Sequence, residues 1–493
     1  MPQTLARWLV VGAALLACAC LAEARVGGGH TYSGGSSSSP SSSTSYSDSS
    51  SSWGDTEYDG GSGMGGAGGG LAFTFFIGLF FIGVINVMLA DAKQAAPQDN
   101  AMDLAEFRPP PRKKAADLNQ ALLMVQRADS YFSRFVFLDF ATLLFERLHR
   151  ARGTGDYASV RSWVTPELWA RLPKSTGDSV DELVVGSVSF ESLKITKIGV
   201  RFEASLLVNG ERRHLIERWT FRRNKGAHSA PPERLLALRC PSCGAAAETD
   251  AEGRCSYCDQ VVNRGDAGWV AERIRVVSDD PASRPHVSID GGGVEPGSSR
   301  QTLGQPNFRA RWREFERQHP GCDKTSFLAR VETVFLQIQD AWSTGQWHSA
   351  RLLETEALFQ RHRYWIERYE RAQLKNTLDA IEIVYVRPCK VVKDAFYEAI
   401  TCRIRARMLD YTEDRIGRVV GGNKWVHREF TEYWTFVRRI GVTAESAGES
   451  CPSCSSPVQV NAAGECSTCD TRLTSGDFGW VLALIEQDQA YAG

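Results

Sequence analysis

The chain is 493 residues long, enough for about three domains of ordinary size. Its 57 Lys and Arg balance 58 Asp and Glu to a formal net charge of −1. That balance excludes a general polycation and leaves every electrostatic argument to local clusters. Of the thirteen cysteines, two lie in the first twenty residues, eight form two tight clusters, and Cys322, Cys389 and Cys402 are scattered.

Residues 1–24 read as a secretory signal peptide. Arg7 supplies the positive end, Trp8 to Leu21 is an apolar run too short to span a bilayer, and Ala22-Glu23-Ala24 places small residues for cleavage. A lipoprotein signal at Leu15-Leu16-Ala17-Cys18 competes with this reading, although Leu at its second position fits poorly. Residues 25–70 are almost entirely Gly, Ser, Thr and Tyr, with too few apolar side chains to offset their ordering entropy. They are expected to be a disordered spacer. Leu71 to Ala90 carries no charge over twenty residues, the length of a transmembrane helix. Acids precede it (Asp55, Glu57, Asp59), and bases come after it (Lys93, Arg108, Arg112, Lys113, Lys114). Positive flanks stay inside, so the expected topology is a single pass of the cell membrane, N-terminus outside and the rest cytoplasmic. Residues 91–116 read as a basic, Pro-rich linker holding the C-terminal bulk of the chain off the bilayer.

The remainder contains an internal repeat. With Phe137 set on Phe327, Phe145 meets Phe335, Gly155 meets Gly345, Thr165 meets Thr355 and Trp169 meets Phe359, an offset of 190. Further on, Glu217-Arg218-Trp219-Thr220-Phe221 meets Glu432-Tyr433-Trp434-Thr435-Phe436 at an offset of 215, and the cysteine clusters match at 211. The second copy therefore carries about 25 extra residues before its Trp strand. Residues 279–306, rich in Pro, Gly and Ser, read as a linker within 279–320, which also holds a short helix. The modules are expected at 117–278 and 321–490.

Each module reads as helices followed by strands. Phe327, Val331, Val334, Phe335, Ile338 and Ala341 recur at helical spacing, and Gly345 ends that helix. Strands are expected near Val184–Ile198, Val200–Val208, Ile381–Val386 and Ala395–Met408. Alternation places Glu217, Trp219 and Phe221 on one face of the closing strand. The fold class is α+β, with helices packed on a curved antiparallel sheet in each module.

The signal, the Gly/Ser tract and the Gly-flanked span together resemble the bacterial Tim44-like proteins. So do Phe335-x-x-Ile338-Gln339-x-Ala341-Trp342, Gly345 and Glu432-x-Trp434-Thr435-Phe436-x-Arg438. The resemblance implies the cone-shaped fold of the nuclear transport factor 2 superfamily and a membrane-tethered, non-catalytic adaptor. The mitochondrial relative links a protein translocase to a chaperone motor. The duplication, the span and the cysteine clusters depart from that relative.

Cys240, Cys243, Cys255 and Cys258 share the pattern C-x2-C-x11-C-x2-C with Cys451, Cys454, Cys466 and Cys469. A two-residue gap lets both thiolates of a turn face one ion, so each set is expected to close a structural Zn²⁺ site with no open position. Paired disulfides or an iron–sulfur cluster are the alternatives. The intervening loops hold little positive charge, which argues against nucleic acid. Glu217 and Glu432 are the candidates for an acid–base role. A carboxylate in such a pocket is expected to have a raised pKa, with pairing to a nearby Arg as the competing reading. His214, His348, His362 and His427 have no counterpart in the other copy and read as surface residues. The expected function is an adaptor binding a protein, peptide or lipid in its clefts; an enzyme or small-molecule binder using the cone interior is the alternative.

Overall fold

A computed structural model describes residues 112–281 and 293–493, apart from short gaps at 176, 247, 251, 296, 321, 443–449, 452, 461–463, 465, 470–472 and 475. The signal segment 1–24, the tract 25–70, the predicted span 71–90 and residues 91–111 lie outside the described residues. Among those described, no helix is long and apolar enough to cross a membrane.

The first half runs α1 (Arg112–Ala128), α2 (Arg134–Thr154), a 3-10 turn (Ala158–Trp163) and α3 (Pro166–Trp169). It continues with β1 (Val180–Lys194), β2 (Lys197–Val208), β3 (Glu211–Arg222), α4 (Pro232–Leu235) and β4 (Val270–Pro281). The second half begins with β5 (Gly293–Val294), α5 (Phe308–Gln318), α6 (Lys324–Thr344), a 3-10 turn (Trp347–Ala350) and α7 (Glu356–Ala372). β6 (Leu374–Lys393), β7 (Tyr397–Asp414), β8 (Val419–Arg439) and β9 (Val481–Gln487) complete it. The linker expected up to residue 116 ends sooner, because α1 already starts at Arg112. Three prolines precede it in sequence, and proline's missing N–H costs a helix nothing at its start.

α2 and α6 are both 21 residues long and begin 190 positions apart. Each has a side-chain cap at its start: Ser133 accepts from the Val136 N–H, and Asp323 from the Ser326 N–H. Each ends on a left-handed glycine, Gly155 at φ 75° and Gly345 at φ 72°, where a Cβ would be strained. The next helix differs: α3 has 4 residues and α7 has 17. The strands lengthen too, from 15, 12 and 12 residues in β1–β3 to 20, 18 and 21 in β6–β8. The extra length in the second half is thus spread over one helix and three strands rather than inserted as a block.

The first sheet has the order β1-β2-β3-β4, antiparallel throughout; the second has β5-β8-β7-β6, with β9 also on β8. Trp219 faces Ile274 across β3–β4, Trp434 faces Ile485 across β8–β9, and both ladders shift register at the next Thr–Phe step. As alternation implies, each Trp looks at the helices: Trp219 lies 5.7 Å from the Phe145 ring and Trp434 lies 5.1 Å from Phe335.

Two expectations change. The segment read as a linker is only partly one. β5 pairs in parallel with β8, buried Glu295 meets Arg428 at 2.6 Å, and the Leu303 N–H donates to the Tyr433 hydroxyl. With Tyr491 stacked on Tyr433 at 3.7 Å, this strap packs on the outer face of β8 near Tyr433, and β8 is buried on both faces from Phe430 to Arg438. The two halves are also not separate bodies, since residues 104–493 fall in one compact unit. α7 of the second half lies on β1 of the first, where Gly186 leaves room for Tyr364: a Cβ there would sit 2.7 Å from that ring. Tyr364 is buried, with its hydroxyl 3.3 Å from Glu203 of β2. Tyr397, Ala399, Val437 and Val481 of the second half complete the first core, and Val184 of the first half belongs to the second.

This shared packing predicts that Gly186→Val, which drives a branched side chain into Tyr364, destabilises the whole unit by roughly 1–3 kcal/mol. Urea unfolding measures it; a wild-type midpoint would contradict the contact.

Candidate functional site

The eight clustered cysteines gather into two groups, within each of which the four ligand atoms lie inside 4.8 Å of one another. Sγ pairs stand 3.9 Å apart in the first group (Cys240–Cys258, Cys243–Cys255) and 3.8 Å apart in the second (Cys451–Cys469, Cys454–Cys466). A tetrahedron with metal–sulfur arms of about 2.3 Å has edges of about 3.8 Å. The thiols are thus already spaced to share one ion, and each group could hold a metal. Burial pushes the Cys240 thiol up to about 12, whereas the Gln260 N–H draws Cys258 down to about 7. Without a cation, four such groups do not ionise together.

The backbone builds both groups alike. Thr249 bridges Cys255 in the first, and Val460 bridges Cys466 in the second. Gly253 (φ 82°) and Gly464 (φ 77°) turn the chain between the cysteine pairs. A Cβ on Gly253 would fall 2.1 Å from the Asn263 side chain, and one on Gly464 would fall 2.4 Å from Thr474. Each hairpin precedes the last strand of its sheet, β4 or β9.

Glu217 and Glu432 are fully buried under the helices. Glu217 takes hydrogen bonds from Trp219 Nε1 (2.7 Å), Arg152 Nη2 (3.0 Å) and His149 Nε2 (3.1 Å). Burial raises its pKa, but His149, Arg152 and Trp219 more than reverse this and hold the carboxyl at about 2. The raised value expected for a general base is therefore overturned at Glu217. The helix above it supplies donors that a strand pattern does not reveal. Glu432 takes Trp434 Nε1 at 2.9 Å and Gln487 Nε2 at 3.0 Å. Both carboxylates are held in place by donors from neighbouring elements.

The histidines divide. His348 and His427 are exposed, as expected. His362 is not: it is fully buried, its Nδ1 2.8 Å from buried Glu354. The aligned first-half positions hold Val164 and Leu172, so the repeat alignment makes a buried polar pair look like unpaired surface. His214 is half-buried and bonded to Glu203 at 3.0 Å. His149 is absent from the candidates that pattern alone selects. Its signal is a histidine on the apolar face carrying Phe137, Phe140, Leu144 and Phe145.

An open cleft of about 1520 Å³ lies between the 3-10 turn after α2, α4 and the first cysteine hairpin. Arg161, stacked 4.3 Å over Trp169, lines one wall; Arg439 and Asp477, a bridged pair from the second half, close another.

Residues 309–447 match the family model of the Tim44-like domain. This Tim44-like domain runs from α5 to just beyond β8. It holds Phe335, Ile338, Trp342, Gly345, Glu432, Trp434 and Phe436, on which the sequence resemblance rests. The second cysteine hairpin and β9 lie beyond the match. No curated protein matches the chain.

Metal analysis of the full chain is expected to find two ions per molecule and one in Cys255→Ser; an unchanged ratio in the variant would separate the thiols from the metal. Glu217→Gln is expected to cost roughly 1–3 kcal/mol by weakening three buried bonds. Because the folded pKa of Glu217 is depressed, its stabilisation is complete above about 4.5 and is lost as pH falls toward 2. The variant's acid-unfolding curve should therefore be flatter than wild type over that window, and parallel curves would contradict the assignment.

Proposed function

We propose that this chain is a membrane-anchored, non-catalytic binding protein built from two unequal copies of a Tim44-like module, each closed by a structural zinc site. Its role would be as an adaptor in protein transport or in the assembly of a membrane complex. The observation that carries the binding reading is the open cleft of about 1520 Å³, walled by both halves and by a cysteine hairpin. Its mixed lining of apolar, cationic and acidic side chains suits a peptide surface. The Tim44-like match supports the adaptor class. The donors already on Glu217 and Glu432 favour a structural over an acid–base role.

The duplication is supported by the equal lengths of α2 and α6, the paired Glu-x-Trp hydrogen bonds and the matching register shifts. Zinc is supported by the all-thiolate donor set and its tetrahedral spacing. Reduced thiols suit the cytoplasmic side, where the charge flanks of residues 71–90 would place the modules.

Ala237 and Ala158 line the cleft and are exposed, so arginine fits at either without disturbing the core. In cells, Ala237→Arg and Ala158→Arg are expected to lose the wild-type cross-linked partner at unchanged metal content, with the modules shielded from external protease. Wild-type cross-linking in both variants would overturn the cleft reading, and modules cut by external protease would overturn the topology.

A further inference from the structure

Among the described residues, the two most exposed large apolar side chains belong to the β7–β8 hairpin. Trp425 is 88% exposed and Ile416 is 76% exposed, and Val419, Val420 and Val426 are exposed close by in sequence. A single apolar side chain on a surface is ordinary, but such a run marks a contact. It lies on the perimeter of the second sheet. β5 pairs with β8 only at Arg428 and Glu429, and β9 only from Glu432 onward. Among the described residues, β8 from Val419 to His427 thus has β7 on one side and no strand on the other. The turn carrying Ile416 closes the same corner.

An open edge invites an added strand, yet the backbone here is arranged against one. Lys424 to His427 loop out of the ladder opposite Leu409. Asn423 Oδ1 accepts the N–H of Trp425 at 2.7 Å and of Val426 at 3.0 Å. In the turn, Asp414 Oδ1 accepts from Ile416 at 3.1 Å and from Arg418 at 3.0 Å, and the Asp414 carbonyl accepts from Gly417. A peptide adding to the edge would need free donors. An apolar medium makes the opposite demand, that backbone donors be satisfied internally. Trp425 and Ile416 can therefore leave water without stranding an N–H. The charges fit the same medium. Lys424 meets Glu413 at 2.6 Å and Arg418 meets Asp414 at 3.1 Å, and exposed Arg415 adds a surplus positive charge. Anionic headgroups attract such a surplus, and a tryptophan ring suits the boundary between headgroup and acyl chain.

We infer that this corner docks on a bilayer surface bearing anionic headgroups, with Trp425 and Ile416 entering the interfacial layer. The inference rests on the membrane-anchored reading only for what brings a bilayer near. Residues 91–111, fully extended, reach about 70 Å from the end of the predicted span. Docking would fix which side of the second sheet faces the membrane, something a tether of that length does not do by itself.

The test uses the full chain in phosphatidylglycerol nanodiscs doped with a phospholipid carrying a diazirine on its acyl chain. Adducts formed on illumination are mapped by mass spectrometry. Adducts are expected on residues 416–426 as well as on 71–90, with at least twofold fewer on 416–426 in phosphatidylcholine discs. Combining Ile416→Ser with Trp425→Ser is expected to remove at least four-fifths of the hairpin adducts, at unchanged labelling of 71–90 and unchanged unfolding temperature, because both side chains stand outside the core. A hairpin without lipid adducts, a hairpin cross-linked to a second copy instead, or wild-type labelling in the double variant would each overturn the docking. Adducts on the hairpin but none on 71–90 would overturn the anchor reading and leave the docking standing.

Discussion

Four thiols held within 4.8 Å of one another do not stay together as anions unless a cation neutralises them. That constraint recurs in each half of the molecule, and much else depends on it. Each cysteine hairpin lies between the Trp strand and the last strand of its sheet. The last strand pairs with the Trp strand alongside its buried Glu and Trp. A metal bound there would couple to closure of the sheet, and closure to the buried hydrogen bonds beneath α2 and α6.

The same chemistry bears on the compartment. As metal ligands the eight thiols would have to stay reduced, which suits the cytoplasmic side proposed above. That proposal rests on the sequence alone, on the charges that flank residues 71–90. The packing between halves adds a further consequence. Because α7 lies on β1 through Tyr364 and Gly186, and the first core is completed by β7, β8 and β9, the halves are expected to unfold together rather than as beads on a string.

What the sequence reveals is local. The C-x2-C-x11-C-x2-C spacing, the apolar stripe of α6 with its closing Gly345, and the alternation that puts Glu217 beside Trp219 all repeat within a few residues. The structure agrees with each. Contact between distant segments is hidden. The strap from Gly293 to Leu303 looks like a Gly/Pro linker by composition, yet it is held to β8 by isolated bonds to Arg428 and Tyr433. His362 looks like a surface residue because the repeat sets it against Leu172, although it lies in the core with its Nδ1 2.8 Å from Glu354. The direction of the Glu217 shift turns on His149 and Arg152, more than sixty positions away, whose approach only the packed helix makes visible. Buried electrostatics is therefore the layer least accessible from pattern alone.

The central claim is that these thiols are structural metal ligands, and X-ray absorption at the zinc edge on the full chain tests it most directly. The account predicts a single shell of four sulfurs at about 2.3 Å, with no nitrogen or oxygen neighbour, at both sites. A mixed shell containing oxygen or nitrogen, or a protein with no zinc and its cysteines paired as disulfides, would contradict it.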